Sequence, residues 1–330
     1  MFQTDPVLWL QSTLEGSGLL ALMTAISALG YAPAYMLLIA FSAFAGRVRP
    51  GLAVLLAVLL MSCTTAVIKH GANLPRPSDV DSRVLDKGRS GHALVAEGSA
   101  PGFWALPEHH AVAAFRAQDE RDPGFPSGHV AVATAAGVAL MLGFQVRRWP
   151  LRLLLVAGWP LLMAVSRMFL GRHFLADVLA GALLGAVVAC LAVWLVPPRR
   201  PSHAGARQAL LIAAATAAVA LACSSPWVGA DSAGQLAGLV VVLIWLDLRG
   251  TPADAGAWTS RLARAAVFIG LNLLAVPVID GLATALQLPD TRATVVLCHA
   301  AGTLMVMLAT LSLCRLSWLQ RGSTRVPAVA

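Results

Sequence analysis

"FPSGHVAVATAAGVALMLGF", residues 125–144, decides the fold. From Val130 onward the run is apolar and belongs in lipid. A Pro-Ser-Gly-His tetrad stands at its mouth, where an apolar helix would meet water. The stretch therefore predicts a membrane helix that opens on a polar, chemically active end.

The whole chain has the same character. Of its 330 residues, 58% are hydrophobic and 12% charged, against about 45–50% and about 25% in soluble domains. The five cysteines lie in apolar segments without metal-like spacing and read as small buried hydrophobes. The N-terminal stretch lacks a basic region, so a cleaved signal peptide is not expected. The net charge of +8 comes without a basic face interleaved with aromatics, which excludes nucleic acid as partner. Only two of the 24 basic residues are lysines, Lys69 and Lys87. The Ala, Leu and Arg bias fits a GC-rich bacterial genome.

A spanning helix needs about 20 mostly apolar residues. Nine segments qualify: 31–45, 52–68, 130–144, 153–169, 174–196, 209–223, 235–248, 263–286 and 293–313. The expected fold is an all-α integral membrane protein. An interfacial N-terminal helix over 1–30 breaks at Gly30 and Pro33. A membrane core over 31–196 carries a long loop, 70–125, and a linker at 197–208 leads to a four-helix region over 209–330. With the N-terminus outside, the inside segments hold 14 of the 24 basic residues. They are Arg47 and Arg49; Arg147, Arg148 and Arg152; Arg199, Arg200 and Arg207; Arg249, Arg261 and Arg264; and Arg315, Arg321 and Arg325. This is the positive-inside pattern, and it places the long loop outside. The expected setting is a bacterial inner membrane with the polar site on the periplasmic face. The loop carries eight acidic residues and the patch "GFWAL", and reads as a lid or a small folded insert. Its histidines, His92, His109 and His110, read as solvated.

That threading brings four helix ends together on the outer side. Lys69 and Arg76, seven apart, share a stripe if their helix runs on to Pro75 and Pro77. Two fixed cations suit a phosphate, and headgroup snorkelling is the alternative. Ser127 can cap the third span, whose N-terminal N–H groups form an anion site. Gly128 allows close approach, and His129 titrates near neutrality; a plain cap is the alternative. Ser166 and Arg167 add a donor and a cation. His173 and Asp177, four apart, share a face. Asp177 can hold one ring nitrogen and leave the other nucleophilic, or the pair is purely structural. In the C-terminal region Asn272, Asp280 and His299 read as packing or interface groups.

These residues spell Lys-x6-Arg-Pro (69–77), Pro-Ser-Gly-His (126–129) and Ser-Arg-x5-His-x3-Asp (166–177). The chain thereby resembles the type-2 phosphatidic acid phosphatase family, related to vanadium haloperoxidases and glucose-6-phosphatase. All eleven fixed positions match in order and spacing, over about residues 31–196. The resemblance implies that His173 is the nucleophile and Asp177 its orienting partner. It makes His129 the acid and then the base. Lys69, Arg76, Ser127, Gly128 and Arg167 hold the phosphate, with no metal and no cofactor. The long loop and the four extra helices depart from the pattern.

The expectation is an integral-membrane lipid phosphatase, working through a phosphohistidine on a phosphomonoester or pyrophosphate of a lipid. Its alternatives are a hydrolase of a soluble phosphomonoester, as in glucose-6-phosphatase, a phosphotransferase between lipids, and a non-catalytic lipid transporter.

Overall fold

The computed structural model describes residues 1–14, 16–87, 94–197, 204–254 and 256–316, and every regular element among them is helical. Arg89, His92, Arg199, Arg200, Arg321, Arg325 and the linker residues 198–203 lie outside the described residues.

The helices are α1 (Asp5–Thr13), α2 (Ser17–Ala28), α3 (Ala32–Ile39, continuing as a π-helix over Ala40–Gly46), α4 (Val48–Ala72), α5 (Pro77–Val80), α6 (His109–Arg116), α7 (Gly128–Gly143), α8 (Trp149–Leu153), α9 (Trp159–Phe169), α10 (Leu175–Leu195), α11 (Ala204–Ser224), α12 (Ala230–Arg249), α13 (Trp258–Ala285) and α14 (Arg292–Leu313). A π-turn over Leu154–Gly158 joins α8 to α9. Among the described residues seven segments are long and apolar enough to cross a membrane. The other two expected spans take different forms. α2 and Ala32–Gly46 make a pair bent by 58°, and α7 is apolar but only 16 residues long. The N-terminal segment is two helices, α1 and α2, where one was expected.

The described residues form two compact units. The first comprises Met1–Tyr35, Thr64–Met141 and Gln145–Cys190. Its core joins Val7 of α1, Met23 and Ile26 of α2, Val130 and Ala133 of α7, Met163 and Phe169 of α9, and Val178 of α10. In lipid, helices gain little from the hydrophobic effect and associate through close packing of small residues. Gly181 and Gly185, one turn apart on α10, provide that surface for α7. A Cβ at Gly181 would stand 2.6 Å from the Ser127 carbonyl, and one at Gly185 would strike the Ala131 carbonyl. This contact sets the Pro-Ser-Gly-His end of α7 beside the start of α10.

The second unit comprises Met36–Cys63, Leu142–Phe144 and the described residues from Leu191 onward. Residues 36–63 thus cluster with the C-terminal helices. Phe44 stacks on Phe268 at 4.6 Å. The buried Arg49 pairs with Asp247 at 2.5 Å, and Asp254 accepts the Val48 N–H at 3.0 Å. Gly234 and Gly238 let α12 approach the Val296 and Ala300 carbonyls of α14.

All five cysteines are free thiols. Cys63 and Cys314 are buried as expected, but Cys190 and Cys223 are exposed on helices α10 and α11 and Cys298 is half-buried. In a bilayer an outward Cys costs little, so apolar surroundings in sequence did not require burial.

Candidate active site

The first unit gathers four helix ends around one cavity of about 400 Å³. The ends are the last turns of α4 and α9 and the first turns of α7 and α10. Lys69, Arg76, Gly128, His129, Arg167 and His173 all line it. Six of the eight sequence-predicted site residues therefore meet at one surface. Ser127 and Asp177 sit behind it, both fully buried.

Lys69 and Arg76 reach the cavity differently from the expected continuous stripe. α4 stops at Ala72 because Asn73 turns left-handed, φ 47°, and returns its N–H to the Lys69 carbonyl at 2.8 Å. Residues before proline avoid helical backbone, so Leu74 and Arg76 cannot continue the helix. Arg76 is extended and heads the short helix α5, with Asp79 accepting its backbone N–H at 2.8 Å. Both cations are engaged by the end of the long loop. Lys69 Nζ donates to the Pro123 carbonyl at 2.5 Å. Arg76 donates from Nε to the Asp122 carbonyl at 2.8 Å and pairs with the Asp122 carboxylate at 2.5 Å.

Ser127 does not cap α7 with its side chain. Its carbonyl accepts the Ala131 N–H, opening the helix, and its own N–H donates to the Asp177 carbonyl at 3.0 Å. The buried hydroxyl has no protein partner, nor has Nε2 of His129 or Nε of Arg167. Buried donors without partners cost about 1–3 kcal/mol each. Two of them stand at the start of α7, where the backbone already favours anions, and the third in the last turn of α9, so together they can receive acceptor oxygens.

His173 lies just ahead of α10 rather than on it. Asp177, in the first turn, points back to the helix start. Its Oδ2 accepts the Phe174 N–H at 2.8 Å and stands 3.3 Å from His173 Nδ1. The ring is therefore held through Nδ1 while the residue borders the cavity. Burial holds the His173 imidazole well below its ordinary pKa, and Arg167, Lys69 and Arg76 push the same way. It is a neutral base at pH 7.

The cavity also contains residues that the sequence reading did not select. Arg172 is a fourth cation, paired through Nε with the buried Asp86 at 3.1 Å. Its place next to His173 in the chain was the available signal. Asp122 is the single acid among the described residues of the wall. Thr24, Ser27 and Ala28 of α2, with Tyr31 beyond it, form another wall, and no local pattern pointed to them. Gln11 of α1 fixes the loop behind Arg172. Its amide donates to the Leu85 carbonyl at 2.7 Å and the Phe169 carbonyl at 3.0 Å, and its oxygen accepts the Leu85 N–H at 3.0 Å. His109 and His110 are exposed, as expected. Among the described residues no cluster of three His, Cys, Asp or Glu side chains is placed to hold a metal ion.

Four cations, a helix N-terminus and a buried neutral imidazole border one cavity among apolar helices, an arrangement chemically suited to an anion such as phosphate. Residues 50–201 match the family model of the PAP2 superfamily, and this segment is type-2 phosphatidic acid phosphatase-like. Neither the curated proteins nor the solved structures gave a match. The family and the apolar helices together make this an integral membrane protein with a phosphatase-type function, a phosphoric monoester hydrolase in the general sense.

Proposed function

We propose that the protein is a metal-independent lipid phosphatase acting at the outer membrane face through a phosphohistidine. The observation that carries the reading is the buried His173, held through Nδ1 by Asp177 at a cavity with four cations. In the first step Nε2 of His173 forms a bond to phosphorus as the bond to the leaving oxygen breaks. His129 gives its proton to that oxygen. In the second step His129 takes a proton from water, the water oxygen bonds to phosphorus, the N–P bond breaks, and orthophosphate leaves. Lys69, Arg76, Arg167 and Arg172 offset charge on the phosphoryl oxygens, and Ser127 and the α7 N-terminus donate to them. Fixed donors and cations supply by position what a metal supplies elsewhere.

Two features favour a lipid substrate. The cavity lies at the ends of apolar helices, the level at which lipid phosphates stand. The long loop also exposes Phe103, Trp104 and Leu106, with Trp104 83% accessible. Exposed aromatic and apolar side chains near helix ends suit the membrane interface. The basic residues of the opposite segments favour the outer orientation.

The test is hydrolysis by the detergent-solubilised protein of a panel of lipid phosphates, pyrophosphates and sugar phosphates, with and without excess chelator. Release of phosphate from lipids, undiminished by chelator and blocked by vanadate, is expected. Turnover of sugar phosphates alone, or turnover that needs a divalent ion, would overturn the proposal.

A further inference from the structure

The α2 wall does more than close the cavity. α2 and α3 meet at a bend, and the chain between them turns tightly: Gly30 N–H bonds to the Ser27 carbonyl at 2.9 Å and Tyr31 N–H to the Ala28 carbonyl at 3.2 Å. Irregular backbone at membrane depth is tolerated where it lines a cavity, and this turn does.

Four contacts run from this segment to the motif residues. Ser27 Oγ accepts Nη1 of Arg167 at 2.8 Å. The Met23 carbonyl accepts the Ser166 hydroxyl at 2.7 Å. The Tyr31 ring meets the His129 ring edge-on, with centroids 4.8 Å apart. Gly30 lies directly against that imidazole. A Cβ at Gly30 would overlap Cδ2 of His129 and stand 3.0 Å from its Cγ. His129 makes no side-chain hydrogen bond through Nε2, so its ring is placed by packing.

We infer that the Ser27–Tyr31 turn is a positioning element of the active site, which fixes Arg167 through Ser27 and sets the imidazole of His129 between Gly30 and Tyr31. The inference rests on the role proposed for His129. Displacing that ring moves the proton donor away from the leaving oxygen and leaves His173 and its cations in place. The turn therefore controls the steps that need a proton from or to His129, and acts on substrates in proportion to how badly their leaving groups need one.

Gly30→Ala tests this directly. General acid–base help is worth about 10²–10⁴-fold, and a displaced ring forfeits part of it. Hydrolysis of a lipid phosphate, whose alcohol leaves poorly, should fall about 10- to 100-fold. Phosphoenzyme formation from nitrophenyl phosphate, whose leaving group needs little protonation, should change less than about threefold. In a His129→Ala background Gly30→Ala should cost nothing more, since no ring is left to displace. Tyr31→Leu, which introduces no overlap, should repeat the pattern more weakly. Ser27→Ala should weaken vanadate inhibition, and Ser27→Thr should restore it. Equal losses on both substrates, full additivity with His129→Ala, or unchanged rates in Gly30→Ala and Tyr31→Leu would each overturn the inference. If His129→Ala itself spares lipid phosphates, the acid role fails; additivity with Gly30→Ala still reads the positioning separately.

Discussion

Oδ2 of Asp177 stands 3.3 Å from Nδ1 of His173 and accepts the Phe174 N–H at 2.8 Å. One carboxylate oxygen thus starts helix α10 and holds the imidazole that precedes it. Both contacts fall on the same oxygen, so an amide oxygen in its place can keep them while the negative charge opposite the imidazole is removed. Asp177→Asn should therefore fold nearly normally and lose about 10²–10⁴-fold in kcat, the scale on which a catalytic imidazole suffers when its carboxylate partner becomes an amide. Thermal unfolding in detergent and initial rates on a lipid phosphate check both halves. A folded Asp177→Asn with unaltered kcat would remove Asp177 from the mechanism.

The lowered pKa of His173 makes a prediction about stability and pH. The folded protein keeps this imidazole neutral, whereas the unfolded chain takes up a proton below the ordinary value of 6.5. The contribution is complete above 6.5 and is lost as pH falls below it, by up to about 1.4 kcal/mol per pH unit for one proton. Unfolding midpoints between pH 7.5 and 5 should fall more steeply in the natural protein than in His173→Asn. Parallel profiles would show that the ring is not held neutral.

Asp122 pairs with Arg76, a cation that the proposed mechanism gives to phosphate. Its carboxylate is 40% exposed, so the pair adds only about 0–1 kcal/mol to stability. Asp122→Ala frees Nη2 of Arg76, whose Nε keeps its bond to the backbone carbonyl of residue 122, and raises the positive potential of the cavity. Vanadate should bind about 3- to 10-fold more tightly, given that one rim charge shifts binding by about 1 kcal/mol. Inhibition curves measure this. Weaker vanadate binding would instead make Asp122 part of the machinery.

The sequence carried much of this site because its signals were short-range. The spacing of His173 and Asp177 and the glycine beside Ser127 lie within single turns, and the motif residues meet as their helix ends suggested. What it could not carry was tertiary. The wall of Thr24, Ser27, Ala28 and Tyr31 comes from the way α2 packs on α9, about 140 residues away in the chain. The left-handed Asn73 that breaks the Lys69–Arg76 stripe was hidden in a segment whose prolines suggested a later stop. Ser127 reads as a cap by residue type, yet only its carbonyl opens α7 and its buried hydroxyl makes no cap and has no partner in the protein. The C-terminal helices looked separate beyond their linker, but Arg49 and Phe44 already belong to their compact unit.

The most direct test of the mechanism is trapping of the phosphoenzyme. Labelled nitrophenyl phosphate is mixed with His173→Ala or His129→Ala, and the reaction is stopped by alkaline quench, since phosphohistidine is acid-labile. Nitrophenolate leaves without much protonation, so His129→Ala should still be phosphorylated on His173 and then stall for want of a base, by about 10²–10⁴-fold. Label should accumulate on His129→Ala, resist alkali and be lost in acid, while His173→Ala stays unlabelled. Label on His173→Ala, or acid-stable label on either variant, would contradict a phosphohistidine at His173.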